Sequence, residues 1–177
     1  MKLIKNLILS FVIFILLLVL VSYLLPQKQN IERTLVIATP AEKIFPHMSN
    51  PKLFSEWSPW SKLDPKMKVE YSGPESGVGA MMEWQSDEPS VGNGSWKVVE
   101  AIENESLDIA MDFGDQGTAS SYFRLKPSGD KTSVTWGFDT DAGMNPLMRW
   151  FGLLLDKMIG TEYEKGLTAL KSIVEAN

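Results

Sequence analysis

Few side chains in this sequence could carry out acid–base, nucleophilic or metal chemistry. His47 is the only histidine and there is no cysteine, which excludes disulfides, thiolate nucleophiles and Cys-type zinc sites. No Gly-x-Ser-x-Gly motif is present to form a serine nucleophile elbow. His47 could act as a general base, alone or with Glu56, but a lone histidine near the end of a short helix is more often a capping or surface residue. We therefore predict no catalytic group, no metal site and no cofactor, and we favour a protein that is not an enzyme.

Two glycine-rich turns superficially suggest phosphate-binding loops. They are Gly77-Val78-Gly79 and Gly92-Asn93-Gly94. A phosphate loop leads into the N-terminus of a helix, whose N–H groups point at the anion, whereas each of these turns precedes a segment with the alternating pattern of a strand. We interpret both as tight turns between strands.

Apolar side chains are the more promising group. Methionines are flexible and indoles are wide, so together they suit an adaptable pocket for an apolar ligand. Any single one of them could equally fill a core. Glu70, Tyr71 and Arg149 could orient a polar ligand head, although we favour solvated surface positions for all three. The candidate cavity residues are Trp57, Trp60, Met82, Trp84, Trp96, Met111, Phe123, Trp136, Phe138, Phe151, Leu155 and Met158.

Local patterns place two helices between a first strand and a run of six more. Residues 31–39 predict the first strand. Thr39 as N-cap and Pro40 at the first helical position predict a helix that runs to about residue 49, and a second, short helix is predicted from Asn50-Pro51 to Ser58-Pro59. The six later strands are predicted at 68–72, 80–85, 94–102, 107–113, 118–125 and 132–138. Because the connections are short, neighbouring strands should be antiparallel.

The strands alternate between apolar and mostly charged residues, so one face of the sheet should be buried and the other wet. Residues 146–176 return to helical spacing and predict a long final helix that covers the apolar face. Gly160 should mark a bend of that helix or a close approach to the sheet. The predicted apolar stripe of the helix consists of Leu147, Phe151, Leu154, Leu155, Met158, Ile159, Tyr163, Leu167, Leu170 and Val174.

The N-terminal segment has the properties of a membrane anchor. Residues 6–27 carry no charge, and 7–25 are almost wholly Leu, Ile, Val and Phe. About 20 apolar residues cross a hydrocarbon core of about 30 Å, whereas the apolar region of a signal peptide has about 7 to 15. No small-residue cleavage site precedes Pro26. We predict an uncleaved single-pass anchor at 1–27 and a soluble domain at 28–177. The short basic tail resembles that of a bacterial signal-anchor, which would place the domain outside the cytoplasm.

Composition restricts the partners of that domain. Hydrophobic residues make up 44% of the 177 residues and charged residues 22%, so the chain can bury a core and does not have the composition of a disordered protein. The net charge is −5, and no Lys/Arg cluster follows Lys28. An acidic domain without a basic patch is not expected to bind nucleic acid.

Several short segments, in this order and spacing, resemble one bacterial family. They are PAEKIF at 40–45, WSPW at 57–60, GVGA at 77–80 with Trp84, VGNG at 91–94, and KMIG at 157–160 with GLTALK at 166–171. The order β-α-α-β6-α resembles the helix-grip fold of the START-like, or Bet v 1-like (SRPBCC), superfamily. The segments resemble its polyketide cyclase/dehydrase and lipid-transport family. The resemblance implies an α+β fold with a hydrophobic cavity between the sheet and the last helix, and it implies no particular reaction.

Taken together, these observations favour a membrane-tethered module that binds a lipid or other hydrophobic small molecule under the last helix. Two alternatives stay open. One is an enzyme of cyclase, dehydratase or hydrolase type that uses His47 or an internal carboxylate. The other is a protein-interaction domain of an envelope assembly, held in place by its anchor.

Overall fold

The computed structural model describes residues 2–176 and begins with a long apolar helix. This helix, α1 (Lys2–Ser22), has almost all of its side chains exposed. It is the one described helix that is long and apolar enough to cross a membrane, a length and composition that a signal sequence would share. Strand β1 (Lys28–Ile37) follows after a short link, so the sheet begins close to the end of α1.

Seven strands form a single antiparallel sheet. After β1 come β2 (Lys68–Ser72), β3 (Met81–Gln85), β4 (Gly94–Ile102), β5 (Ser106–Asp112), β6 (Thr118–Ser128) and β7 (Lys131–Asp141). Their spatial order is β1-β7-β6-β5-β4-β3-β2. The first strand therefore pairs with the last, and every other strand pairs with its neighbour in sequence. All six predicted later strands are present, each within a few residues of its predicted bounds.

The helical region between β1 and β2 is more broken than predicted. It forms four short helices: α2 (Ala41–Ile44), α3 (Pro46–Ser49), α4 (Pro51–Trp57) and α5 (Pro59–Leu63). Three of the four have a proline in the first turn, a position that suits proline because it has no N–H to donate. The predicted first helix is therefore split at Pro46, and α5 was not predicted.

The predicted cap at Thr39 is wrong. Pro40 occupies the N-cap position of α2 without a side-chain hydrogen bond. The Thr39 hydroxyl instead donates to the carbonyl oxygen of Val174 at 3.3 Å, which ties the start of α2 to the end of the last helix.

The C-terminal helix has the predicted extent but is interrupted. It consists of α6 (Pro146–Leu155), a π-helical turn (Asp156–Gly160) and α7 (Thr161–Glu175). At the turn, a Cβ on Gly160 would overlap the guanidinium group of Arg33 on β1, so glycine permits this close approach. The predicted close approach at Gly160 is confirmed, and it divides the helix into two parts with different surroundings.

Candidate functional site

Aromatic rings fill the space between the middle of the sheet and α7. Trp136 on β7 stacks on Tyr163 of α7 with ring centroids 3.8 Å apart, and its centroid lies 5.2 Å from those of both Trp57 and Phe123. A Cβ on Gly166 would lie 2.7 Å from the Trp136 ring, so this glycine lets α7 pack directly on the indole. We call this group, with Phe54 and Trp96, the aromatic cluster.

The Ser121 hydroxyl is buried against the aromatic cluster and is hydrogen-bonded within it. The Ser121 hydroxyl donates to the carbonyl oxygen of Gly137 at 2.9 Å and accepts the indole N–H of Trp136 at 3.1 Å. The Tyr163 hydroxyl lies 3.4 Å from the hydroxyl oxygen of Ser121. Burial raises the pKa of Tyr163, because an ionised phenol would lose its hydration. Tyr163 is therefore neutral at physiological pH, and the cluster holds no charge.

The apolar face of the sheet is sealed at one end and open at the other. On β5, Leu107 and Ile109 are fully buried, whereas Met111, the next inward residue, is part-exposed. On β6, Phe123 is fully buried and Ala119 is part-exposed. Exposure of the inward-facing residues thus increases along the strands in one direction.

The exposed direction leads to what we call the open end. Met82, Trp96, Met111 and Ala119 are cross-strand neighbours in one row on β3 to β6. Trp84 and Phe113 lie beyond this row, with ring centroids 6.0 Å apart. All of these except Trp96 are part-exposed. They form an apolar surface that no helix of the described chain fully covers.

Two surface depressions flank the open end. One, of about 600 Å³, is lined by residues 28–30, 118–120 and 139–141 at the ends of β1, β6 and β7. The other, of about 690 Å³, includes Trp84 and Phe113 together with the acidic side chains of Glu70, Glu83 and Asp112. Both depressions lie at the strand ends beside the open end, and Trp84 and Phe113 are reached from the second one.

The open end lies at the same end of the sheet as α1. β1 starts there, directly after the link from α1, and antiparallel pairing brings the end of β7 and the start of β6 alongside Lys28 and Asn30. The end of β5 and the start of β4 follow in the same row. An apolar surface and an apolar helix thus lie at the same end of the molecule.

The structure divides the twelve predicted cavity residues into three groups. Four of them are part-exposed, Met82, Trp84 and Met111 at the open end and Trp60 beside the aromatic cluster, and two, Phe151 and Met158, are exposed on the C-terminal helix. The six buried ones are Trp57, Trp96, Phe123, Trp136, Phe138 and Leu155. Sequence reasoning left Phe113, Ala119 and Ser121 out of the candidate set, although the alternation on β5 and β6 would have placed all three on the inward face.

Comparisons with known proteins agree with this architecture. The family model described as "Polyketide cyclase / dehydrase and lipid transport" matches residues 28–175. The chain belongs to this family. No curated protein matches the sequence.

Solved structures show the same fold at low sequence identity. Ara h 8.0201 is 15% identical, with a TM-score of 0.60 over 85% of this chain and 99% of the other. Norcoclaurine synthase from Thalictrum flavum, in complex with dopamine and hydroxybenzaldehyde, is 16% identical, with a TM-score of 0.62 over 85% and 88%. Protein Ms6760 from Mycobacterium smegmatis is 15% identical, with a TM-score of 0.58 over 83% and 91%. This family member therefore has the SRPBCC helix-grip fold, which is a fold for hydrophobic ligands generally.

An ion-pair cluster holds the π-helical turn on β1. The Arg33 guanidinium donates to Asp156 at 2.9 Å and to Glu164 at 2.7 Å. These bonds raise the pKa of Arg33 and lower that of Asp156, so the pair stays ionised. Arg33 therefore fixes the point at which α6 and α7 meet.

Two of the candidates for polar chemistry, His47 and Arg149, have different environments from those expected, whereas Tyr71 is 40% exposed as expected. His47 is part-buried, which lowers its pKa against the opposing effect of Glu56, and its Nδ1 is a buried atom with no hydrogen-bond partner in residues 2–176. Arg149 was predicted to be solvated, and this is wrong, because it is only 6% exposed. Residues 2–176 contain no group of three or more potential metal-ligating side chains.

Proposed function

We propose that this family member is a membrane-tethered module that binds a hydrophobic small molecule or lipid, which enters at the open end. The observation that carries the proposal is the coincidence of the open end with the anchor end of the sheet. The aromatic cluster fills the space under α7, so the ligand would contact Met82, Trp84, Met111 and Ala119 first. Deeper entry would require rings of the cluster to move.

The energetics of such binding are favourable. Each buried methylene contributes about 0.8 kcal/mol, so a ten-carbon chain gains about 8 kcal/mol before ordering costs are subtracted. A tether adds a local supply, because a ligand that leaves the bilayer meets the open end without a search through bulk solvent.

The proposed organisation is an uncleaved anchor at 1–27 and a binding domain at 28–177 on the extracytoplasmic side. Two measurements test it. The intact mass of the protein from membranes should include residues 1–27, whereas a cleaved signal peptide would give a shorter chain. A C-terminal alkaline phosphatase fusion should be active and a C-terminal green fluorescent protein fusion exported by the same route should be dark, and the opposite pattern would reverse the orientation.

Ligand binding is tested with the full chain in nanodiscs. Native mass spectrometry should show a bound apolar molecule, and a fluorescent fatty acid should bind and be displaced by unlabelled fatty acid. Ala119→Trp places an indole in the open end and should weaken probe binding at least tenfold. Val99→Trp is the matched control, because Val99 is 51% exposed in the irregular pairing of β4 with β5, and it should bind like the parent chain. Absence of both ligand and displaceable probe would refute the proposal.

One observation favours a second function, that of a protein-interaction domain. The aromatic cluster already occupies the middle of the predicted cavity, so a binding role under α7 is not required by the packing. Under this alternative, cross-linking in native membranes would recover a stoichiometric protein partner and Ala119→Trp would leave probe binding unchanged. The lipid-binding proposal predicts the opposite result for Ala119→Trp.

A further inference from the structure

Helix α6 exposes an apolar face that no other part of the described chain covers. Leu147 is 76% exposed, Leu154 55% and Phe151 40%. Met144, just before the helix, is 71% exposed, and Leu153 and Met158 are 53% and 51% exposed. Apolar surface of this extent on one helix is unusual in a protein surrounded by water alone.

The part of this surface formed by residues 142–155 also exposes no charge. From Ala142 to Leu155 the one charged residue is Arg149, which is only 6% exposed. Its guanidinium donates inward, to the carbonyl oxygen of Gly143 at 2.8 and 2.9 Å and to those of Tyr23 and Leu25 at 3.3 Å. The single cation of the segment therefore bonds α6 to the link that follows α1, and the outer face of residues 142–155 carries no charge.

A second contact fixes the depth of α6 relative to α1. The Trp150 indole N–H donates to the carbonyl oxygen of Leu18 at 3.2 Å. Leu18 lies four residues before the end of α1, which is about 6 Å along the helix axis. The 21 residues of α1 give a length of about 31 Å, close to the thickness of the hydrocarbon core. If α1 crosses the bilayer, its whole length is needed and Trp150 reaches hydrocarbon depth.

We infer that α6 is a second membrane-contacting element, which lies in the interface of the bilayer that holds α1 with Leu147, Phe151 and Leu154 against lipid. The inference rests on the proposed anchor. Helix α6 packs against α1 near Leu18, so one bilayer would reach both helices. An apolar helix face of this kind is buried about 5–10 Å at the headgroup and acyl boundary, and the bond to Leu18 places Trp150 at a similar depth.

The consequence is a fixed orientation of the whole domain. One transmembrane helix followed by a short link would let the domain rotate, whereas two apolar elements joined through Arg149 and Trp150 hold it against the surface. The open end then faces the lipid rather than the aqueous phase.

Site-directed spin labelling of the full chain in liposomes tests this inference. The chain contains no cysteine, so single labels need no background substitutions. Labels at Leu147→Cys and Leu154→Cys should be more accessible to oxygen than to an aqueous nickel chelate. Phe14→Cys reports whether α1 is inserted, and Val99→Cys is the control for an exposed apolar position on the sheet, where the nickel chelate should have greater access than oxygen.

Each other outcome overturns the inference in a distinguishable way. If the label at Phe14 is in lipid while those at 147 and 154 have the same accessibility as the label at Val99, α6 is in water. The inference then fails, and the proposed anchor is still supported. If Phe14 is also aqueous, the anchor fails and the inference fails with it. If 147 and 154 are shielded from both reagents and show spin–spin broadening, a second copy of the chain covers the face. None of these results bears on binding of the fatty-acid probe, which is measured separately.

Discussion

The two parts of the C-terminal helix, α6 and α7, have similar sequence patterns and opposite surroundings. The stripe of α7 is buried, with Leu167 1% exposed and Leu170 fully buried, whereas Leu147 and Leu154 of the α6 stripe are largely exposed. The boundary is the π-helical turn that Arg33 holds on β1. One apolar stripe along a helix can therefore pack in the protein core at one end and, in our proposal, contact a membrane at the other.

The largest expected difference is between equivalent leucines on the two parts. Leu167→Ala should lower the free energy of unfolding by about 2–5 kcal/mol, because it leaves a cavity against the aromatic cluster. Leu154→Ala should change it by less than about 0.5 kcal/mol, because that side chain contacts little protein. Urea unfolding of the full chain in detergent micelles, followed by tryptophan fluorescence, measures both. Equal losses would mean that α6 is packed like α7.

Glycines sharpen the same comparison. A Cβ at Gly166 would lie 2.7 Å from the Trp136 ring, whereas one at Gly152 of α6 would meet only the flexible Gln29 side chain at 3.0 Å or more. Gly152→Ala should raise the free energy of unfolding by up to about 1 kcal/mol, because alanine has the higher helix propensity. Gly166→Ala should lower the free energy of unfolding by about 1 kcal/mol, because the cost of overpacking against Trp136 exceeds the gain in helix propensity. Thermal unfolding gives both values, and a stabilised Gly166→Ala variant would contradict the direct packing of α7 on Trp136.

Arg149 tests how α6 is attached. Arg149→Lys keeps the charge but loses the planar fork that reaches several carbonyl groups, so the link between α6 and the end of α1 should weaken by about 1–2 kcal/mol. Hydrogen exchange should become roughly tenfold faster at residues 142–151 and stay unchanged in α7. Arg124→Lys is the matched control, because Arg124 pairs with Asp108 on the part-exposed outer face of the sheet. Unchanged exchange at 142–151 would show that Arg149 does not hold α6.

The smallest effect at neutral pH is expected from Tyr163. Its pKa is raised in the folded state, so the unfolded chain loses this proton first as pH rises above about 10. Stability should therefore be unaffected by this group below pH 10 and fall as pH rises from there towards the folded pKa. Tyr163→Phe should remove that part of the pH dependence, as measured by urea unfolding at pH 8 and pH 11. An identical pH dependence in the variant would place Tyr163 in contact with solvent.

The sequence predicted the sheet and the last helix because their periods are unambiguous. Apolar and polar residues that alternate with a period of two predicted the inward-facing residues of β3 to β7. The apolar stripe with a period of 3.6 residues predicted one helix over residues 146–176. Proline placement in 40–63 was harder to interpret, because a proline can begin a new helix as readily as it ends one, and this produced the missed break at Pro46 and the missed α5.

The candidate site could be predicted only in part, for a physical reason. Hydrophobicity does not distinguish a residue that fills a core from one that lines an opening, so Trp57 and Trp136 were grouped with Trp84 and Met111. The buried residues differ from the open-end residues in where they lie relative to α7. This position depends on how the helix packs on the sheet, and no local sequence pattern predicts it. The role of Arg149 was missed because a buried arginine bonded to backbone carbonyls has no sequence signature.

Photo-cross-linking in membranes tests most directly whether lipid reaches the open end. Full chain in vesicles that contain a phospholipid with a diazirine on one acyl chain is irradiated, digested and mapped by mass spectrometry. We predict adducts on α1, on α6 and on the open-end strands at Met82, Trp84 or Met111, and we predict that Ala119→Trp removes only the last group. Adducts confined to α1 and α6 in the parent chain would contradict a lipid-accessible binding site.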